Sequence, residues 1–521
     1  MLKKIKNYKI GLLLHNRNIN YGHKVLISKL KKEIDCQITI ILDKPLKKNR
    51  IFFILEFYKY IDRKVFSIFS NIQDPFKLVN IDSSQKKISF NEFNKSNKEL
   101  NLILDLRENQ DNQECLLAKK IWRLNLASFN NFFSDVVNKN RSIKTYLVQT
   151  MENKTPFILH ESLNRVTKYS FHINRSEIYL GWVDRLPMLI SKFYEKKIIN
   201  KKILTNIIKV NVIQNNKNII KFFNYIVYEI INKLFKFALG RNIWFIGINL
   251  KEENFIGNFS NNFFQVKNKF NEYLADPFLF TYENKSYLFC ESYDFIKKKG
   301  VIKSGLINEK GECHNLEIAL EELHHLSFPY IFNDNGEIYM IPESAKNESV
   351  NLYKCLKFPH EWTLEKKILS NVKAVDTSIL FYENIYWLFT TVVDLQGTSS
   401  DLHIYYADNL LGEWMPHKNN PIFSDVSRSR NAGRIAIYKD NILRPSQSCL
   451  TRYGEKVVFN KIDILNKDAF KESFYDEIDC KSIPNADGLH TWNKNKDFLA
   501  FDYAKWQPRY INIWNKLNDK S

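Results

Sequence analysis

The sequence contains no pair of cysteines spaced for a metal or redox site. Its seven cysteines are odd in number, widely separated and never arranged as C-x-x-C. Reduced, buried thiols are therefore expected, and no metal site is predicted. A run of about 18 uncharged apolar residues, which a membrane-spanning helix needs, is also missing. The basic start is followed by an apolar stretch at 10–14 that is too short for a signal peptide. These absences predict a cytoplasmic protein.

A glycine-rich phosphate-binding turn is missing too. The first apolar strand is followed by His15-Asn16-Arg17-Asn18, which argues against a dinucleotide site. Zinc-finger, helix-turn-helix and RNP motifs are likewise absent, so we expect no nucleic-acid partner. The formal net charge of +20 is spread along the chain. Diffuse basicity favours acidic partners such as nucleotide-sugar phosphates or an anionic membrane surface.

The 521 residues exceed the size of a single hydrophobic core, so at least two domains are expected. Apolar strands at 8–14, 37–42 and 102–106 predict a parallel α/β sheet within residues 1–195. Residues 196–243 are predicted to form a helical linker. Its apolar residues recur at helical spacing over 219–237, and its lysines would suit peripheral membrane contact. Packing against a flanking domain is the commoner arrangement for such a helix and is the favoured prediction here.

A repeat of about fifty residues begins near residue 271 and decides the architecture of the second half. Each copy contains two short apolar strands joined by a polar turn, and no helical segment of comparable length intervenes. The pattern predicts a five-bladed all-β propeller over residues 244–521. The five copies have their strand heads at Asp276, Pro329, Asp376, Gly433 and Asp487.

The repeat also predicts a cluster of carboxylates. In a propeller the first strand of each blade lines the central channel, so Asp276 and Asp376 would converge there. Glu291 and Glu343 follow second strands and would join them. Each acid alone could simply cap a turn or strand end. Together they offer the acid, the base and the pKa modulator that glycosyl chemistry uses.

Basic and amide groups follow later in the chain. We expect Arg430, Arg444, Gln447 and His490 to bind substrate together with Glu291. Acids and arginines in one channel suit a charged sugar or sugar phosphate, although isolated surface salt bridges are the alternative for the arginines. A single Ca²⁺ in the channel is also compatible with the sequence.

Seven motifs of the second half carry a resemblance to a known domain. They are Ala275-Asp276-Pro277-Phe278, Leu326-Ser327-Phe328-Pro329, Ile341-Pro342-Glu343-Ser344, Leu411-Gly412-Glu413-Trp414, Asn431-Ala432-Gly433-Arg434, Arg444-Pro445-Ser446-Gln447 and Gly488-Leu489-His490-Thr491. With these motifs in order from Trp244 to Asp502, the chain resembles the N-terminal propeller domain of plant glucosamine inositolphosphorylceramide transferases. Bacterial relatives of that domain occur with surface-polysaccharide genes, so the resemblance implies a role in assembling lipopolysaccharide or capsule. More distantly, the propeller is similar to arabinanases, xylosidases and fructosidases, in which an Asp on the first blade acts as base or nucleophile; the matching position is Asp276.

Residues 1–195 resemble a degenerate formyltransferase-type α/β domain. The resemblance rests on the opening strand, on Phe133–Val137 and on Thr145–Gln149. Asn125-Leu126-Ala127-Ser128 stands where that family has a His-containing motif. The resemblance therefore implies a domain that binds a sugar nucleotide or serves as a scaffold rather than one that transfers formyl groups.

We therefore expect a glycosyltransferase of cell-surface polysaccharide synthesis, located in the cytoplasm or peripherally at the inner membrane. Asp276 would be the general base, Glu343 the general acid, and Asp376 the pKa modulator. The expected partners are a sugar or sugar nucleotide and a glycan or glycolipid acceptor, with no cofactor besides a nucleotide-sugar donor. A glycoside hydrolase of the arabinanase or fructosidase type and a non-catalytic glycan-binding module are the alternatives.

Overall fold

The computed structural model describes two compact units, one formed by residues 1–228 and 394–399 and the other by residues 229–393 and 400–521. The described residues are 8–15, 19–43, 57–64, 74–79, 85–95, 100–107, 120–125, 141–151, 154–166, 170–195, 202–203, 221, 223–228, 231–232, 235, 239–250, 259, 263–393 and 400–508. The formyltransferase-like motif at 133–137, residues 126–128 and most of the turn at 15–18 lie outside them. None of the helices within these ranges is long and apolar enough to cross a membrane.

The first unit is an α/β structure. Its three bounded helices are α1 (Tyr21–Ile34), α2 (Phe90–Lys95) and α3 (Phe171–Tyr194), and residues 57–64, 221 and 223–228 are also helical. Its strands are β1 (Lys9–His15), β2 (Gln37–Asp43), β3 (Lys86–Ser89), β4 (Leu102–Asp105), β5 (Ile121–Asn125), β6 (Ser142–Met151), β7 (Lys154–Arg165) and β8 (Lys202–Ile203).

The sheet of this unit has the strand order β7-β6-β5-β4-β1-β2-β3. Strands β1 to β5 pair in parallel, with Leu12 beside Ile40 on one side and Leu104 on the other, while β6 and β7 are antiparallel. Strands β1 and β4 are buried almost throughout, as expected where helices cover both faces of a parallel sheet. The predicted strands and their parallel pairing are confirmed.

Helix α1 shows how local sequence sets an element's limits. Asn20 caps its N-terminus by accepting a hydrogen bond from the backbone N–H of His23, and the His23 side chain accepts from Asn20 in return. Asp35, in the left-handed region, ends the helix. Ile226 of the predicted linker is buried in the core that α1 helps to form, and Phe223 packs against it.

Among its described residues from 240 onward, the second unit has strands and two short 3₁₀ turns, at 345–347 and 480–482, as its regular elements. The strands are β9 (Gly240–Leu250), β10 (Phe264–Gln265), β11 (Glu272–Tyr282), β12 (Lys285–Asp294), β13 (Lys299–Ile307), β14 (Glu317–Leu320), β15 (Ser327–Asp334), β16 (Glu337–Glu343), β17 (Ser349–Lys357), β18 (Glu361–Ser370), β19 (Ala374–Tyr382), β20 (Ile385–Val393), β21 (Ser400–Ala407), β22 (Met415–Pro416), β23 (Phe423–Asp425), β24 (Arg430–Asn431), β25 (Ala436–Tyr438), β26 (Asn441–Ser448), β27 (Lys456–Leu465), β28 (Phe470–Asp479), β29 (Trp492–Lys494) and β30 (Phe498–Pro508).

These strands form a β-propeller of antiparallel sheets. Four separate sheets have the orders β10-β9-β30-β29, β11-β12-β13-β14, β15-β16-β17-β18 and β24-β26-β27-β28, with β25 beside β26. Between the third and fourth of them in the chain, β19, β20 and β21 also pair antiparallel, and β22 and β23 both pair with β21. Strand β9 pairs with β30 from Gly240–Pro508 to Leu250–Phe498, so one sheet joins the beginning and the end of the propeller.

Tight hairpins fix the register of the inner strands. The turns Glu283-Asn284, Asn335-Gly336, Glu383-Asn384 and Lys439-Asp440 each have positive φ at both residues. This conformation is that of type I′ turns, whose twist matches the twist of paired strands. In these four hairpins the two-residue turn fixes the pairing register of the two strands. The far end of the first strand therefore lies at the same position in each hairpin.

Candidate functional site

A β-bulge presents the residue at the inner end of three first strands. The register shifts between Ala275 and Phe278 in β11, and again at the matching points of β15 and β19. The bulged residues Asp276, Phe328 and Asp376 have φ of 50°, 44° and 49°. The extra residue of a bulge re-aims a side chain, and here it is how both predicted aspartates reach a common pocket. In the second repeat the equivalent residue is Phe328, not Pro329 as predicted.

The pocket has a volume of about 150 Å³ and a polar lining. The structure brings together six of the eight predicted site residues, namely Asp276, Glu291, Glu343, Asp376, Arg430 and His490. Trp244, Tyr273, His325, Ser327 and Tyr453 complete most of the remaining wall. The functional roles of these residues stay predictions.

Asp276 is buried and anchored at both carboxylate oxygens. Oδ1 accepts a hydrogen bond from Thr491 Oγ1 at 2.8 Å and lies 3.4 Å from His490 Nε2, and Oδ2 accepts from the backbone N–H of Phe328 at 3.2 Å. Burial raises the pKa of Asp276 to about 6, with His490 acting in the opposite direction. At neutral pH this carboxylate is therefore mostly ionised and able to accept a proton.

Glu343, at the end of β16, has the complementary character. Burial, followed by the nearby carboxylate of Asp376, raises the pKa of Glu343 to about 8. Glu343 is therefore protonated at neutral pH and able to donate a proton. When the surroundings of two carboxyl groups separate their pKa values, the group with the lower pKa can act as the base and the group with the higher pKa as the acid.

Glu291, on β12, is the most isolated acid of the pocket. Its side chain is buried, and its atom Oε1 has no hydrogen-bond partner among the described residues. The nearest basic group is Nε2 of His325 at 3.5 Å, and the other ring nitrogen of that histidine accepts from the backbone N–H of Gly300 at 2.8 Å. Burial, followed by the charges of Asp276 and Glu343, raises the pKa of Glu291 well above its usual range.

Asp376 has a strong ion-pair partner instead. The Arg430 Nε donates to Asp376 Oδ2, and Gln447 Nε2 donates to the same oxygen at 3.2 Å. Asn431 fixes the backbone beside it by donating to the Asp376 carbonyl at 2.7 Å. This carboxylate is held by the charge of Arg430 and the amide of Gln447, which suits the predicted supporting role rather than proton transfer.

His490 uses both ring nitrogens within the protein. Nδ1 lies 2.7 Å from Asp502 Oδ2, Nε2 faces Asp276, and the ring stacks on Trp244 with centroids 4.1 Å apart. Burial opposes a charge on the ring, but the carboxylates of Asp502 and Asp276 outweigh it and raise the pKa of His490 above 6.5. His490 lines the pocket, and its contact with the substrate stays a prediction.

Arg444 and Gln447 lie behind the pocket wall. Arg444 is fully buried and donates from Nε and Nη2 to the two carboxylate oxygens of Glu472, at 2.9 and 2.8 Å. Its remaining donors bond to Asn431 Oδ1 and to the carbonyl of Arg428. Neither residue is placed to touch a ligand, so the sequence-based prediction of substrate binding is not supported for them. Arg444 braces Asn431, and Gln447 orients Asp376.

Several residues at the site escaped the sequence analysis. Asp502 accepts from the backbone N–H groups of Asp276, His490 and Thr491 at 2.9–3.0 Å, and it lies on β30, far from the other acids in sequence. Trp244 comes from the first strand and Tyr453 from a loop after β26. A weak sign existed for Asp502 only, because an acid directly follows the apolar run Phe498–Phe501.

Asp276, His490 and Asp502 are the one group of possible metal-ligand residues in the described part of the chain, with one atom of each within 4.8 Å of the others. Their contacts form an ion-pair chain, because each ring nitrogen of His490 faces a different carboxylate. Atoms that hold a metal must instead point at one centre. The two carboxylates are therefore paired with the imidazole and are not directed at a common metal-binding centre.

The fold and the site define a β-propeller with a buried acid–base pocket. Residues 262–507 match the family model described as glucosamine inositolphosphorylceramide transferase 1, N-terminal. The chain is 38% identical over 226 residues to glucosamine inositolphosphorylceramide transferase 1 of Arabidopsis thaliana, covering 42% of this chain and 29% of the relative. Identity to the protein of the same name from Oryza sativa subsp. japonica is 39% over 205 residues, covering 38% and 27%. The chain thus spans less than a third of the length of these curated relatives.

Solved structures with a similar arrangement include glycoside hydrolases. A thermostable family-43 glycoside hydrolase is 15% identical with a TM-score of 0.31, covering 38% of this chain and 74% of that one. A family 117 glycoside hydrolase from Zobellia galactanivorans is 13% identical with a TM-score of 0.34, covering 50% and 90%. The α-L-arabinanase of Cellvibrio cellulosa is 13% identical with a TM-score of 0.30, covering 39% and 77%.

Proposed function

We propose that this protein is a carbohydrate-active enzyme, a glycosyltransferase that works at the propeller pocket. The observation that carries the proposal is the pair Asp276 and Glu343, which line one pocket with pKa values of about 6 and about 8. At neutral pH one is ready to accept a proton and the other to donate one. General acid–base catalysis requires this pairing at the operating pH.

The proposed reaction moves a glycosyl group from a donor to an acceptor hydroxyl. Asp276 takes the proton of the acceptor hydroxyl as its oxygen forms a bond to the anomeric carbon. The bond from that carbon to the leaving oxygen breaks, and Glu343 supplies that oxygen with a proton. Asp376, held by Arg430 and Gln447, contributes a fixed negative charge beside Glu343. This charge raises the pKa of Glu343, so Glu343 stays protonated until it transfers its proton to the leaving oxygen.

We propose an amino sugar as the group that the pocket binds. The names of the curated relatives include glucosamine and a lipid acceptor. In this chain no Lys or Arg of the described part forms an ion pair with Glu291, and one oxygen of its buried carboxyl is unpartnered. Burial and the neighbouring acids favour the neutral form of this carboxyl, and a cation beside it would favour the ionised form. The ammonium group of an amino sugar supplies that charge and the hydrogen-bond donors.

The proposal also covers the fifth blade of the propeller, the N-terminal unit, the pathway and the location of the protein. The antiparallel strands β19 to β23 make a fifth blade beside the four separate sheets. The N-terminal unit is a degenerate formyltransferase-like scaffold. The enzyme takes a nucleotide sugar and a glycan or glycolipid acceptor in cell-surface polysaccharide synthesis, for lipopolysaccharide or capsule. It works in the cytoplasm and peripherally at the inner membrane, where a net charge of +20 favours an anionic surface.

Hydrolysis of a glycoside is the second candidate, and a protonated Glu343 suits it equally. The oxygen of a sugar alcohol is a poor leaving group unless it is protonated. A proton donor in the pocket is therefore also what a hydrolase needs. In that case water replaces the acceptor hydroxyl in front of Asp276.

A ligand screen tests the proposed substrate class. We expect nucleotide-activated amino sugars to raise the melting temperature of the wild-type protein more than their N-acetylated or neutral counterparts. The Glu291→Gln variant keeps the size of the side chain but cannot ionise beside the ammonium group, so it should bind the amino sugar about 10- to 100-fold more weakly, the scale of one charge-assisted hydrogen bond.

Asp487→Asn is the matched control, because that acid is partly exposed and contacts Arg452 rather than the pocket. Equal binding of amino and neutral sugars by wild type and Glu291→Gln would contradict the amino-sugar assignment. Stabilisation by oligosaccharide alone, with turnover, would replace the transferase by a hydrolase. Binding without turnover of any donor or glycoside would leave a glycan-binding module.

A further inference from the structure

The ion-pair chain Asp502–His490–Asp276 has a geometry that substrate binding does not explain. Asp502 is fully buried and receives three backbone N–H groups, from Asp276 on β11 and from His490 and Thr491 before β29. It lies on β30, the strand that pairs with β9 to join the two ends of the propeller. One carboxylate therefore fixes the inner ends of the first and last repeats relative to each other.

His490 is fixed by the same carboxylate. Its Nδ1 lies 2.7 Å from Asp502, and its ring packs against Trp244 with the two ring planes tilted by 37°. Tyr453 packs edge-on against the ring with centroids 5.2 Å apart. With its rotation blocked on these sides, the ring can only present Nε2 to Asp276, at 3.4 Å from Oδ1.

We propose that His490, oriented and kept protonated by Asp502, is a positioning residue that maintains Asp276 as an ionised base. This inference rests on the proposed function of the pocket, since it concerns the group that would accept the proton. Asp276 has four acidic neighbours in and behind the pocket, and a cation beside it is what prevents them from driving it to its neutral form. The effect travels through Asp276, so it requires no contact between His490 and the substrate.

The other charged groups around the pair do not replace this cation. The titratable groups that face His490 or Asp276 are Asp502 on β30, Glu291 on β12, Glu343 on β16, Asp376 on β19, Arg430 on β24, Tyr273 on β11 and Tyr453. Arg430, the only permanent cation among them, is engaged with Asp376. The phenols of Tyr273 and Tyr453 have pKa values raised by burial and stay neutral.

The charge of His490 can be measured without any substrate. Protonated imidazole quenches the fluorescence of a stacked indole, so the difference between wild type and Trp244→Phe isolates the reporter among the nine tryptophans. We expect this difference signal to titrate with a midpoint above pH 6.5. In Asp502→Asn the midpoint should fall by about one pH unit or more, the scale of one opposite charge at this distance. A midpoint below 6.5 in wild type, or one that Asp502→Asn leaves unmoved, would overturn the proposal.

Turnover gives the second readout. We expect His490→Asn to move the acidic limb of the pH–rate profile upward by about one pH unit or more, because Asp276 then holds its proton to higher pH. Thr491→Val is the matched control, since it removes a neutral donor to the same oxygen and should shift the limb less. A purely structural His490 would lower the rate at every pH and leave the limb in place. The fluorescence titration needs no substrate, so it tests the role of His490 even if the proposed function is wrong. A wrong proposed function would instead appear as absent turnover with the fluorescence result unchanged.

Discussion

The Asp276→Asn variant is expected to lose turnover by about 10²- to 10⁴-fold, the contribution of a general base. The amide keeps the shape of the side chain: its oxygen can accept from the backbone N–H of Phe328 while its NH2 group donates to the Thr491 hydroxyl, which reverses its role, but it cannot take up a proton. Because burial of this carboxylate is unfavourable, as its raised pKa shows, the loss of charge should not weaken the fold. Steady-state kinetics should therefore show a fall in kcat with the melting temperature maintained.

Asp487→Asn again serves as the control, since it changes an acid at the head of a predicted repeat that lies outside the pocket. Its turnover should equal that of the wild type. If Asp276→Asn retained the wild-type rate on a nucleotide sugar or a glycoside that the protein converts, the acid–base account of this pocket would be wrong.

Arg444→Ala is expected to cost about 3–5 kcal/mol in the free energy of unfolding, the range for breaking a buried ion pair. The substitution leaves the carboxylate of Glu472 buried without its bidentate partner. It also removes the brace on Asn431. Urea unfolding followed by fluorescence measures the difference.

The double variant Arg444→Met/Glu472→Leu provides the control for this prediction. Replacing both charges with apolar groups removes the uncompensated carboxylate, so most of the lost stability should return. An Arg444→Ala protein as stable as the wild type, yet unable to bind ligand, would restore the sequence-based assignment of Arg444 to the substrate.

The repeat made Asp276 and Asp376 predictable. Each precedes a hairpin of fixed length, so equal spacing in sequence becomes equal position in the propeller. Glu291 and Glu343 were predictable for the same reason, since they occupy matching positions on the second strands of their hairpins, opposite Ala275 and Ser327. What the sequence did not show is the bulge with positive φ, which is the device that turns the two aspartates toward the pocket.

The positions of Arg444 and Gln447 relative to the pocket could not be predicted from the sequence. They lie on one strand at a separation of three, so they face opposite sides of their sheet, and only the packing of neighbouring elements decides which side meets the pocket. Glu472, which pairs with Arg444, lies on β28, and its register with β27 includes two shifts. No spacing rule locates such a partner.

Asp502 and Trp244 were missed for a topological reason. They lie on β30 and β9, the last and the first strands of the propeller, which meet because they pair in one sheet. A contact between positions so distant in sequence leaves no local pattern. The parallel strands of the N-terminal unit were easier, because each is a buried apolar run that can be identified without knowing its neighbours.

The most direct test of the account is the pH dependence of turnover. With Asp276 ionised above about pH 6 and Glu343 protonated below about pH 8, the rate should follow a bell with limbs near these values. The Glu343→Gln variant should lose the alkaline limb along with most of the rate. A wild-type rate that stays flat from pH 5 to pH 9, or an alkaline limb that persists in Glu343→Gln, would contradict the assignment of base and acid on which the proposed function depends.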